Sequence, residues 1–199
     1  MVRSSVVVAG IDLGPVSVPD ADRLADVVVV AATRAGIDPA GLVVGSHRIV
    51  TTAGESHVVL TATGPGAPEW QWWLVARMFA GVNTPAGVCV GRHAVGDGDA
   101  VEAVRIASQE RLLRIAGRCI RFPGAADVVG TMTVGRIVAV SAIDAVAEVG
   151  AGAFGPDVEI ETAGPVRPRW EFGVLTLHVQ HEGEGRHVPF ESTSVLRTG

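Results

Sequence analysis

Residues 84–104 read TPAGVCVGRHAVGDGDAVEAV and hold one of the chain's two cysteines, one of its six histidines and four glycines. The stretch lies between an aromatic segment with helical spacing and an apolar one. Its first part, 86–90, reads as a strand that stops at a Gly-rich turn and feeds a helix. That order presents side chains at an exposed corner and turns helical N–H groups toward an anion. Carried outward along the chain, the same alternation of strand and helix predicts an α/β fold.

On the N-terminal side, 5–11 (SVVVAGI) is a continuous apolar run, as expected of a strand covered on both faces. Pro15 and Pro19 break it, and Asp20 caps a helix that runs to about Ala35. Leu24, Val27, Val28 and Ala31 share one face of that helix, and Gly36 ends it. Residues 42–50 and 57–62 flank TTAGES and predict a hairpin. Pro68 and Glu69 open the helix EWQWWLVARMFA, which Gly81 stops.

On the C-terminal side, 98–117 is the strongest helical pattern, with Val101, Val104, Ala107, Leu112 and Ile115 recurring at helical spacing. Residues 126–140 and 158–161 read as extended, with a short helix over 142–149 between them. Residues 172–179 and 187–195 read as the last two strands, joined by EGEG. The expectation is one layered domain over 1–199, a mixed sheet with helices packed on it.

Composition narrows the function. The 199 residues are 48% hydrophobic with a mean hydropathy of +0.37, enough for a full core. Charged residues or glycine interrupt every apolar run before the roughly 18 residues of a membrane span, so no membrane partner is expected. Two cysteines make no disulfide framework, which fits a reducing cytoplasm. The net charge is −5, and all 16 cationic residues are Arg. They are scattered, so no basic stripe argues for nucleic acid.

The candidate chemistry sits in the opening stretch. Cys89, four residues before His93, suits an activated thiolate that attacks a thioester or amide carbonyl; the alternative is a small apolar residue within Val88-Cys89-Val90. His93 lies in GRHAVG, where Arg92 and the following helix start favour an anionic ligand or a developing oxyanion. Asp97 and Asp99 read as helix caps, and Cys119 reads as core. His178, His181 and His187 lack metal-ligand spacing, so neither a metal site nor a cofactor motif is predicted. Trp72 and Trp73, with Trp70, supply either a core face or a ligand surface.

In order along the chain, several segments resemble the N-terminal half of thiolase-fold β-ketoacyl synthases. VVVAGIDLG is similar to the first strand of that family and AATRAGIDPAGLVVGS to its helix-then-strand passage. NTPAGVCVGRHAVGDGDAVEAVRIA is similar to its strand, nucleophile turn and following helix, and PRWEFGVLTLHVQ and RHVPFESTSVLRTG to its closing strands. The resemblance implies a thiolase-like half-domain in polyketide or fatty-acid biosynthesis, of acyltransferase type, that acts on or binds acyl thioesters of an acyl carrier protein or CoA. His93 and Cys89 would be catalytic, and Arg92, Gly96, Trp72 and Trp73 would bind substrate.

Two departures matter. The family's Cys-x-x-Gly places His93, with Gly96 three residues later, where the nucleophile belongs, and Cys89 falls four residues early. The two further catalytic residues of the family belong to a second half with no counterpart here. The resemblance therefore implies a member that does not condense by itself, present as a homodimer or as the non-catalytic partner of a ketosynthase-like chain. A rival likeness runs through PDADRLADVVVVAATRAG and LVVGSHRIVTTAGESHVVL, which are similar to the start of the coenzyme F420 glutamyl ligase family, with Arg48 in place of its Lys. It implies an amide-forming enzyme.

Overall fold

The computed structural model of the chain describes residues 6–183 and 185–191; the end of the expected final strand, 192–195, lies outside them. The chain opens with strand β1 (Ala9–Asp12), helix α1 (Val18–Arg34), strands β2 (Val43–Val50) and β3 (Ser56–Thr63), helix α2 (Glu69–Ala80) and strand β4 (Gly87–Val90). These strands lie in the order β2-β3-β1-β4, with every neighbour antiparallel. This is the split β-α-β arrangement, in which β1 sits at the centre and both helices return across one face. All four residues of β1 are buried, as its unbroken apolar run requires.

Local chemistry sets the helix ends. Ser17 caps α1 by accepting from the Asp20 N–H, Pro19 fills the first turn, and Gly36 at φ 82° closes the helix. In α2 the buried positions Trp72, Val75, Ala76 and Phe79 form an i, i+3, i+4, i+7 stripe. That stripe meets Ala25, Val28 and Ala32 of α1, and both helices pack on Ile11, Leu60, Val44 and Val90 of the sheet.

The other sheet face is built differently. Helix α3 (Gly98–Leu113) presents Ala100, Ala103, Val104, Ala107 and Ser108 to a surface containing Gly10, Gly45 and Gly87. A Cβ on Gly10 would sit 2.8 Å from Ser108 Oγ and 3.2 Å from the Val104 carbonyl, and one on Gly87 would sit 2.9 Å from Ala100 Cβ. Small residues on both sides let helix and sheet touch almost backbone to backbone. The expected apolar face holds at Val104 and Ala107, which are fully buried, but fails at its C-terminal end: Leu112 and Ile115 are exposed, and Arg111 is buried in their place.

Between β4 and α3 the chain forms another strand, β5 (His93–Gly96), paired antiparallel with β4. The expected strand-turn-helix corner is thus a hairpin followed by a helix. After α3, β6 (Arg118–Arg121) joins the free edge of β2, and β10 (Arg169–Glu171), β11 (Val174–His181) and β12 (His187–Pro189) extend the sheet. The 126–149 reading holds at 130–133 and is reversed beyond it. Residues 130–133 form β7 (Gly130–Thr133), paired with β9 (Glu159–Thr162), but Val134–Val140 is helix α4, capped by Thr133. Ala145–Glu148 is strand β8, which runs parallel to β11. A second core gathers Phe122, Ile137, Ile143, Val146, Ile160, Leu175 and Leu177 around these elements. The architecture is mixed α/β, mostly antiparallel, with four α-helices among the described residues.

Candidate functional site

The β4–β5 hairpin turns on Gly91 and Arg92, and Gly91 has a φ of 59°. Cys89 pairs with Ala94, and both face α3; His93 pairs with Val90, which faces α1 and α2. Neighbouring strand positions alternate in direction, so the thiol of Cys89 and the ring of His93 leave opposite faces of the sheet. Cys89 is buried beside Ala103 and Val104, and that burial pushes its thiol up from the ordinary range. His93 and Arg92 are exposed on the hairpin.

The other expected ligand residues are dispersed. Gly96 lies opposite Gly87, and a Cβ there would sit 2.6 Å from the Ala86 carbonyl, so its small size serves the hairpin. Trp72 is fully buried in the core under α2, and Trp73 packs half-buried against the same core, while Trp70 is exposed. His178 Nε2 lies 2.9 Å from Glu171 Oε1, and His187 stacks edge-on with Phe154 and His181. No group of three or more potential metal ligands occurs among the described residues.

What the fold brings together instead is a set of clefts. The first, about 500 Å³, opens between α1 and the second core. Val29, Leu42, Phe122, Val128 and Val166 give it apolar walls, and Arg121, Arg167 and Asp127 are its charged lining residues. Both guanidiniums belong to a network anchored on α1. Asp22 receives Arg118 Nη1 at 2.6 Å and Arg167 Nε at 3.1 Å, and Asp26 pairs with Arg121. Glu191 takes Arg118 and Arg169. Among the described residues, four guanidiniums meet three carboxylates in this network. Burial lowers the pKa of Arg167, as do the neighbouring charges of Arg118 and Arg121, against the pull of Asp22.

A second cleft, about 540 Å³, lies where β6 leaves β2 and is lined by His47, Glu110, Arg118 and Trp170. His47 Nδ1 is 2.8 Å from Glu110 Oε2, and its Nε2 is 3.0 Å from Thr61 Oγ1. Hydroxyl, imidazole and carboxylate stand in the sequence of a nucleophile triad. Thr61 is fully buried in the sheet beneath α3, however, where no substrate carbon reaches it. The arrangement ties α3 to β2 and β3. Its members lie 14 and 63 residues apart, a separation that leaves no local sequence signal.

Comparison with protein-family models, with curated proteins and with solved structures returns no significant match.

Proposed function

We propose that the chain is a cytoplasmic binding module for acyl thioesters, of CoA or an acyl carrier protein, in polyketide or fatty-acid biosynthesis. In this reading it holds an acyl group and does not condense it unaided. One observation carries the reading: a largely apolar cleft of about 500 Å³ with Arg121 and Arg167 among its lining residues. Ligand sites of this size combine apolar walls with a few placed polar groups, and a guanidinium suits the phosphates of a pantetheine arm. The thiolase-like ancestry belongs to the same proposal and rests on the sequence segments alone; the cleft supports ligand binding only. Cys89 and His93, on opposite faces of the sheet, give little support to joint catalysis. The ligase-like reading has no acidic metal-binding cluster to build on among the described residues.

Calorimetric titration with hexanoyl-CoA, CoA and hexanoate tests the proposal. Hexanoyl-CoA should bind more tightly than either part. Val129 lines the cleft and is 65% exposed, so Val129→Asp sets a negative charge against the phosphates and the acyl chain without disturbing the core. Loss of hexanoyl-CoA binding in that variant is the expected result. Binding equal to wild type, or none in the wild type, overturns the reading.

A second reading, a non-catalytic subunit paired with a ketosynthase-like chain or a second copy, has one feature in its favour. Strand β5 pairs only with β4 among the described residues, and Val95 on it is 65% exposed. An open edge with an apolar side chain is a template for strand addition. Val95→Lys should then lower the sedimenting mass to that of one chain.

A further inference from the structure

The last turn of α3 sets two guanidiniums against one indole. Arg111 Cζ lies 5.2 Å and Arg114 Cζ 4.9 Å from the centroid of the Trp170 ring. Arg111 is only 7% exposed. Its Nη2 donates to Thr63 Oγ1 at 2.9 Å, and its Nε has no hydrogen-bond partner among the described residues. Neither Arg111 nor Arg114 forms an ion pair among those residues. The contrast with the rest of the molecule is direct, because Arg118 and Arg167, each with a side chain 12% exposed, both meet Asp22. A buried cation is normally paired, and two like charges at one ring oppose each other. Burial lowers the pKa of Arg111, and the neighbouring Arg114 charge adds to it, against the opposing pull of the Cys119 thiol.

The two arginines also line a third cleft, about 400 Å³, between the end of α3 and the residues after β3. Val6, Val8, Val43 and Pro65 give it an apolar wall. Thr63 Oγ1 accepts from Arg111, so its own O–H is free to donate to a third atom. A flat guanidinium fork, a second guanidinium and a hydroxyl donor at the end of an apolar cleft make a receptor for an oxyanion. We propose that this cleft binds the phosphate or carboxylate of a small, partly apolar molecule, with Arg111 and Arg114 as its counter-charges. The site is separate from the cleft between α1 and the second core, and it stands or falls independently of the acyl-thioester reading.

The test is calorimetric titration of the whole chain with inorganic phosphate and, separately, with benzoate, at constant ionic strength. One of the two should bind saturably in the millimolar range or tighter. Phosphate alone identifies a phosphoryl ligand, and benzoate alone a carboxylate. Arg114 is exposed, so Arg114→Gln should fold normally and weaken binding about tenfold, the expectation for one charged hydrogen bond. Arg111→Met keeps the length of the side chain, removes the unpaired charge and should abolish binding. It should also raise the melting temperature in ligand-free buffer, since a buried cation without a counter-charge is replaced by an apolar chain. Absence of binding by both anions in the wild type overturns the proposal. So does wild-type affinity in Arg114→Gln, which decides the matter even where Arg111→Met fails to fold.

Discussion

His57 Nδ1 lies 2.8 Å from Asp12 Oδ2, joining β3 to the end of β1 inside the layer beneath α3. The other Asp12 oxygen accepts from the Gly14 N–H at 2.8 Å. A carboxylate only accepts, so Nδ1 carries the proton of this bond. The pair fixes the direction in which the chain leaves β1 for α1. His57→Ala should remove one partner of a fully buried carboxylate and cost about 3 kcal/mol. Asp12→Asn, which can still accept from Gly14, should cost less. Urea unfolding of the two variants checks the order, and a smaller loss for His57→Ala would refute this role.

The network at Asp22 carries a pH dependence. Burial of the Asp22 carboxyl raises its pKa, but hydrogen bonds and charge from Arg118 and Arg167 outweigh this and hold it below the usual 3.8. A carboxyl whose folded pKa is depressed adds stability above its unfolded pKa and loses it as pH falls through the folded one. The contribution of Asp22 should therefore be complete at about pH 6, begin to fall near the unfolded value of about 4, and vanish only below the lower folded pKa. Asp22→Asn should destabilise by about 2 kcal/mol at neutral pH and flatten the acid limb of the melting curve. Thermal melts from pH 7 to pH 3 give both quantities, and parallel acid limbs in variant and wild type would show that Asp22 is not the group responsible.

The sequence made the first half of the fold legible because its elements carry long, regular patterns. The glycine after α1 and the hairpin around TTAGES signal locally, while the cap of α1, expected at Asp20, is Ser17, with Asp20 in the first turn. The second half did not signal in this way. VGRIVAV in α4 is rich in β-branched residues that favour strands, yet Thr133 caps it and Ile137 turns into the second core. AVAE looks helical in isolation and becomes a strand because β11 offers it a parallel partner. The buried face of α3, legible at Val104 and Ala107, was otherwise hidden for another reason. Its alanines and Ser108 fit against glycines on distant strands, and no periodicity in one segment reveals the size of its partner.

That fit predicts what a single methyl group does. Gly10→Ala would bring a Cβ to 2.8 Å from Ser108 Oγ and 3.2 Å from the Val104 carbonyl. The serine side chain can rotate, but the helix backbone cannot give way without moving α3 off the sheet. A loss of roughly 2 kcal/mol is expected, within the range for overpacked cores. Ser108→Ala in the same chain removes one contact and should restore part of it, while a full rescue would show that the Val104 backbone contributes nothing. Chemical denaturation of the single and double variants measures the coupling.

Cys89 and His93 were the residues on which the sequence placed chemistry, and the hairpin makes their separate tests informative. Desolvation raises the Cys89 thiol, with Ser108 and Arg105 pulling the other way, so little thiolate exists at pH 7. Labelling by iodoacetamide in the native protein should be slow and should speed up in denaturant. Cys89→Ser puts a hydroxyl among Val59, Ala103 and Val104 and should cost on the order of 1–3 kcal/mol. His93→Ala, on the exposed hairpin, should change stability by no more than about 0.5 kcal/mol. Rapid labelling of native Cys89 at neutral pH would contradict its burial and restore the nucleophile reading. A His93→Ala variant that loses hexanoyl-CoA binding without losing stability would move the ligand from the α1 cleft to the β4–β5 hairpin. The outcome expected from the geometry is neither, because a thiol and an imidazole on opposite faces of one sheet cannot exchange a proton directly.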